Sequence, residues 1–401
     1  MQILGRKTSH CSLNVFLLIG WSIFPFANNI GALYAARFIQ GISVGGIYIN
    51  SIIICEYVHP TRRGYFLSIK KISIAVGTLC CHVMSTFWTW RQIAIAAAIP
   101  SLLAFVLTLF WPESPHHLAL KGKFSQCETS FKWMNGNSAE SQRHLKSLIK
   151  SQKESIERNK NKKSSLMEWF KIFLSKGFRK ALITSTVLTL SLDLCGGYYL
   201  MAYVTQIMME LLDNQTSAIY FTVGTDILTV VALALSALAV SYANRRTILF
   251  YSGIFTVLLM LLFSVLAYMK TVYTFSTQLL WLTGMLVILQ SFAVNVGLIP
   301  VSYAIIGEIF PLEHKGLGSC AACVVFTALY ALTMKSTPVL IEHTGLYGTY
   351  SIYGVILAAC FVLLYKTVPE TKDRTLQDIE DEITDKHKKA IIPMEVERLM
   401  Q

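Results

Sequence analysis

The sequence predicts an all-α membrane protein, and three observations carry that prediction. Of its 401 residues, 54% are hydrophobic and only 14% are charged, and the mean hydropathy is +0.51. A soluble chain of this length needs far more charge to cover its surface. Ten apolar runs are long enough to cross the roughly 30 Å of bilayer hydrocarbon. The charge that is present is concentrated between those runs: Lys and Arg outnumber Asp and Glu 35 to 23 for a net +12, and positions 113–180 alone hold 15 Lys/Arg against 6 Asp/Glu. Cytoplasmic loops of membrane proteins collect positive charge in this way, so the basic balance does not point to a nucleic-acid partner.

The runs lie near 11–28, 31–55, 66–88, 91–111, 180–208, 218–242, 247–269, 278–306, 314–340 and 346–367. Arg6, Lys7, Arg62, Arg63, the 113–180 segment, Arg245, Arg246, Lys315 and the 366–401 tail fall on one side of the bilayer. The opposite loops are short and nearly uncharged or acidic, which puts both termini in the cytoplasm. Asn214-Gln215-Thr216 is the single N-x-S/T sequon, in a short outer loop. The order of charge and apolar residues at the start is shared with a secretory signal, but an internal repeat described below favours a retained helix. The segments divide as 1–112, a helical half; 113–179, a basic cytoplasmic loop with short surface helices; 180–368, a six-helix half; and 369–401, a cytoplasmic tail with one amphipathic helix from Thr375.

Enzymatic chemistry and ATP-driven transport find no support in the sequence. It has no glycine-rich phosphate loop, no nucleophile elbow and no clustered metal ligands. The cysteines number nine, and most fall inside apolar runs, which is not a disulfide framework. Cys320-x-x-Cys323 has metal-like spacing, but it lies in a span without a partner pair, and packing is its simpler role. The reading calls for no cofactor and no metal.

Three marks recur in the same order. A basic mark comes first, Gly5-Arg6-Lys7 and then Asn244-Arg245-Arg246. Next comes a Glu followed at a fixed distance by a basic residue and Gly: Glu56 with Arg63-Gly64, then Glu308 with Lys315-Gly316. Last are Pro112-Glu113-Ser114-Pro115 and Pro369-Glu370-Thr371-Lys372. All fall on the cytoplasmic side. Two homologous halves in parallel orientation are the arrangement of the major facilitator fold. Two spans precede the second basic mark and none precedes the first, so the chain reads as ten helices, four plus six, of an expected twelve, starting at the loop between the second and third. Charges at cytoplasmic helix ends can pair across the halves when an inner gate closes, and such pairs, worth about 0–1 kcal/mol each when exposed, bias a rocking equilibrium. Topology signalling alone is the simpler reading for Lys7 and Lys366.

"ARFIQGISVGG" (36–46), "PESP" (112–115), "GLIPVSYAIIGEIFP" (297–311) and "VPETKDRTLQDIE" (368–380) resemble the signatures of the sugar porter branch of the major facilitator superfamily. "GLYGTYSIYG" (345–354), with "RFIQG", looks most like the insect-type facilitated trehalose and hexose transporters. The resemblance covers essentially the whole chain. It implies facilitative uptake by alternating access at a central site, in a multi-pass protein of the plasma membrane whose partners are the lipid bilayer and a small polar solute, a sugar. Arg6, Arg37, Glu56, Arg63, Glu113, Arg245, Arg246, Glu308, Lys315 and Glu370 are the candidate gating charges, the repeated marks among them read from the repeat. Solute-site positions follow at Asp193, Gly196, Tyr198, Tyr203, Thr229, Pro300 and Phe326.

The solute site departs from the family pattern. The family's Gln-Gln-x-x-Gly-x-Asn is here Leu192-Asp193-Leu194-Cys195-Gly196-Gly197-Tyr198, and its Gly-Pro-x-Pro-Trp is Gly297-Leu298-Ile299-Pro300-Val301. Its Asn-Trp pair falls on Phe326-Thr327. A site built to bond hydroxyls loses strongly when its partners are mismatched. A transporter of a non-sugar organic solute and a non-transporting sensor on the same scaffold therefore stand beside the sugar reading. Asp193, Asp226 and Lys335 lie within predicted spans, where charge is costly and faces a cavity or a partner. Asp193 could bind an amine-bearing solute, accept a proton, pair with Lys335, or bond its helix neighbours. His82 reads as a packed side chain, and His116 and His117 as solvated cytoplasmic ones.

Overall fold

The computed structural model describes residues 4–44, 50, 53–54, 56–58, 62–138, 141–143, 145–146, 148–150, 173–310 and 315–371, without the side chains of 63, 64, 135, 239–242 and 315. The expected tail helix from Thr375 and the whole "SQKESIERNKNKKSS" stretch lie outside the described residues. Every described element is helical. Two compact units emerge: Met1–Ser73 with Cys80–Lys163, and Ile74–Leu79 with Ser164–Gln401.

The first unit is built on α1 (Arg6–Ile23), α2 (Ile30–Val44), α3 (Arg63–Ser85, apart from Ile74–Leu79) and α4 (Trp90–Leu109), followed by the short α5 (Pro115–Leu120) and α6 (Phe124–Asn135). α1 packs on α2 and α4. The crossing with α2 is close because Gly20 presents no side chain: a Cβ there would stand 2.4 Å from Gln40 Cγ. α4 opens with a capping box in which the Thr89 N–H donates to Gln92 Oε1 at 2.9 Å. Arg91 then donates to the carbonyls of Pro25 and Ala27, at 3.2 and 3.1 Å, tying this end of α4 to the α1–α2 turn. Leu118, Ala119, Cys127 and Leu145 make a small apolar core of their own beneath Phe131, Leu148 and Ile149, so part of the basic loop folds.

The second unit runs α7 (Lys176–Leu194), α8 (Tyr199–Leu212), α9 (Gln215–Tyr242), α10 (Arg245–Val272), α11 (Thr277–Ala293), a π-helical turn (Val294–Leu298), α12 (Ile299–Glu308) and α13 (Lys315–Thr367). The expected span at 180–208 is broken: Gly196 takes φ +98°, open only to glycine at low cost, and separates α7 from α8. The expected span at 278–306 is interrupted by the π turn, and Pro300 follows it in the first turn of α12. α13 is two limbs, 315–344 and 346–367, hinged at Gly345 with φ +67°. Its packing against α7 and α10 forms the core, around Phe178, Leu188, Tyr199, Met208, Phe263 and Tyr350.

Among the described residues, eight helical segments are long and apolar enough to cross a membrane, the last of them kinked at Gly345, and α2 supplies a shorter apolar helix. Large apolar side chains such as Phe38, Tyr251, Trp281 and Val362 point outward, as a lipid-facing surface requires.

Candidate functional site

The repeated sequence marks fold into one charge cluster in each unit. In the first, Gly5 takes φ +94° and starts α1, so Arg6 and Lys7 lie in its first helical turn and not in a loop as the sequence suggested. Glu113 sits over this helix end, where the Arg6 and Lys7 backbone N–H groups donate to its Oε1 at 2.7 and 3.2 Å. A carboxylate there caps orphan donors and complements the positive end of the helix dipole. A Cβ on Gly5 would stand 2.3 Å from Glu113 Oε2, so this approach needs glycine. The Arg6 side chain reaches Glu56, its Nε lying 3.0 and 2.9 Å from the two carboxylate oxygens and its Nη2 2.7 Å from Oε1. Ser114 Oγ donates to Glu56 Oε2 at 2.5 Å.

His117 completes the cluster. It is buried, not solvated as expected from sequence, because α5 folds it against Arg6. Arg6 Nη1 lies 3.0 Å from His117 Nδ1. Arginine only donates, so Nδ1 accepts and the ring is the neutral Nε2–H tautomer. Burial lowers the imidazole below its ordinary value, with Glu113 opposing and Arg6 reinforcing.

The second unit repeats the scheme of backbone capping plus an Arg–Glu pair, with different atoms in contact. The Arg245 and Arg246 backbone N–H groups donate to Glu370 Oε1 and Oε2 at 3.2 and 3.1 Å. The Arg245 guanidinium pairs with Glu308 and donates to Thr371 Oγ1 at 3.1 Å. Thr371 follows Glu370 as Ser114 follows Glu113, but it contacts the arginine where Ser114 contacts the glutamate. Lys7 Nζ donates to the Leu109 carbonyl and Arg246 Nη2 to the Tyr365 carbonyl, at 2.8 and 2.7 Å, so the second basic residue of each mark caps the end of an apolar helix. These ion pairs run within each half, where the sequence reading had them crossing between halves. Helix ends brought together by intra-half packing are the nearer partners.

Arg37 stands apart from both clusters. It packs on the Phe24 ring at 4.6 Å and donates to Gln40 Oε1 at 3.2 Å. The side chains of Arg63 and Lys315 lie outside the described residues.

The expected solute-site residues gather, for the most part, at the break between α7 and α8. Tyr198 packs on Phe326 and Tyr330 with ring centroids 5.7 and 5.5 Å away, and its hydroxyl bonds that of Tyr303. Phe326 and Tyr330 stack at 6.0 Å, one helical turn apart. The Tyr203 hydroxyl donates to the Met334 carbonyl at 3.0 Å. Gly196 lies against Gln290, whose Nε2 donates to the freed Cys195 carbonyl at 2.9 Å. Thr229 is on α9 and bonds Ser291 Oγ at 2.9 Å. Tyr303, Tyr330 and Gln290 escaped the sequence reading. The signals were present: Tyr330 follows Phe326 by one turn, and Gln290 is a polar residue inside an apolar span.

Asp193 lies in the last turn of α7 with no exposed surface, and neither carboxylate oxygen has a hydrogen-bond partner. The pairing with Lys335 and the bonding to helix neighbours are both absent. Among the described residues, no group of three His, Cys, Asp or Glu side chains is placed to hold a metal.

An all-helical membrane protein with duplicated charge clusters and a broken helix beside a polar-aromatic group has the organisation of a transport protein. The family model described as "Sugar (and other) transporter" matches residues 1–383, and the chain belongs to that family. It is therefore a membrane transporter and not an enzyme. Sugar transporter ERD6-like 6 of Arabidopsis thaliana is 27% identical over 390 residues, 94% of this chain and 77% of the relative. The facilitated trehalose transporter Tret1 of Apis mellifera ligustica is 26% identical over 384 residues, 95% of this chain and 74% of the relative. Among solved structures, the major facilitator proton:xylose symporter XylE superposes with a TM-score of 0.72 at 20% identity, over 94% of this chain and 83% of that one. The fold is the major facilitator fold.

Proposed function

We propose that the chain moves a small polar solute, a sugar of hexose or disaccharide size, down its gradient across the plasma membrane by alternating access, with both termini cytoplasmic. The duplicated charge cluster carries this reading. Alternating access asks each half to move as a body. The Arg6–Glu56–Glu113 and Arg245–Glu308–Glu370 clusters each join three segments far apart in sequence within their own half, so each half keeps its cytoplasmic end intact while it moves. The relatives named for sugar and trehalose transport support the choice of solute.

The test is uptake of radiolabelled glucose and trehalose in cells lacking their own sugar transporters. Saturable uptake of either, reduced severely by Glu308→Ala, is the expected result. Protein at the cell surface with no saturable uptake would favour a sensor on a transporter scaffold instead.

A further inference from the structure

Among the described residues, no ion pair or hydrogen bond joins the buried carboxylate of Asp193. Its oxygens are unpartnered at zero exposure, and an ionised carboxylate in that position is costly unless a cation joins it. A neutral sugar can bond the oxygens but leaves the charge buried. The second observation is the helix end. α7 stops one residue after Asp193, and Gly196 opens the chain there with φ +98°. The C-terminal end of a helix carries partial negative charge, and the broken helices of transporters use such ends to hold cations. The third is the ring cluster of Tyr198, Tyr303, Phe326 and Tyr330 at the same break. Aromatic rings attract ammonium groups, most strongly where water is excluded.

We infer that this site takes a solute bearing an ammonium group, with Asp193 as its counter-ion, the α7 end as a second source of negative potential and the tyrosine–phenylalanine cluster as its aromatic wall. The inference rests on the transport reading above and narrows its substrate class to amine-bearing polar solutes such as amino sugars. It also accounts for Asp193 standing where the sugar porter pattern has a hydroxyl-bonding glutamine.

Binding and flux are measured separately on the purified full chain. Equilibrium binding of radiolabelled glucosamine, N-acetylglucosamine and glucose is compared in detergent, and uptake of the same three in proteoliposomes. Glucosamine is expected to bind the wild type about tenfold or more tighter than either neutral sugar, the scale of one charge-assisted contact. Asp193→Asn should collapse that ratio toward one, and Asp193→Glu should preserve part of it. Equal wild-type affinity for the three sugars overturns the inference and needs no variant to fold. So does an Asn variant that keeps the glucosamine preference, or glucose uptake that merely follows pH with no amine preference, which would make Asp193 a proton site. Selective glucosamine binding with no flux of any solute would sink the transport reading and leave this inference standing; glucose flux without amine selectivity would do the reverse.

Discussion

Replacing Arg6 by Ala should destabilise the first half far more than removing an ordinary surface charge. Arg6 and Glu56 are 9% and 14% exposed at the side chain and share three close contacts. Removing one member of a buried pair costs about 3–5 kcal/mol, because the other is left charged and unpaired. Partial access to water trims this to about 2–4 kcal/mol. The internal control is Lys270–Asp213, a 2.7 Å pair whose side chains are 24% and 71% exposed; Lys270→Ala should cost about 0–1 kcal/mol. The assay is reversible unfolding in micelles of Arg6→Ala, Glu56→Ala, the double variant and Lys270→Ala. The double variant should lose less than the two singles together, since it leaves no orphan charge apart from the contacts to His117 and Ser114. If Arg6→Ala costs no more than Lys270→Ala, or if the two losses simply add, the cluster is not a coupled unit and its proposed role in holding the half together fails.

Further expectations follow from other sites. The lowered His117 value means that the unfolded chain takes up a proton before the folded one does; stability should therefore fall as pH drops below about 6.5, and His117→Gln should flatten that fall in a pH series of unfolding midpoints. Gly196→Ala forces a left-handed backbone on alanine and puts its Cβ 2.7 Å from Gln290 Nε2 and 2.9 Å from Leu200 Cδ1; a loss of about 1–3 kcal/mol is expected in thermal unfolding, and unchanged stability would show that the break tolerates a side chain. Gly253→Ala would place a Cβ 1.9 Å from Phe361 Cζ and should cost about 1–3 kcal/mol, while Gly307→Ala, with nothing within 4 Å, should be neutral or mildly stabilising in the same assay.

The sequence by itself determined the fold class and the duplicated order of charges. Hydropathy and loop charge are local properties imposed by the bilayer, which no packing detail can reverse. It also brought Arg6, Glu56 and Glu113 to notice, because their spacing returns at Arg245, Glu308 and Glu370. The tertiary structure alone decided what those residues do. Glu113 and Glu370 cap helix ends through backbone N–H groups, a role that spacing cannot distinguish from side-chain pairing. His117 is buried because α5 turns it onto Arg6, a contact between residues more than a hundred positions apart. Tyr303 and Tyr330 join Tyr198 only when α12 and α13 fold back to the α7–α8 break. The missing partner of Asp193 is likewise a fact of three dimensions: the sequence supplied an acid inside a span, and only the packing around it left its oxygens without a hydrogen-bond partner.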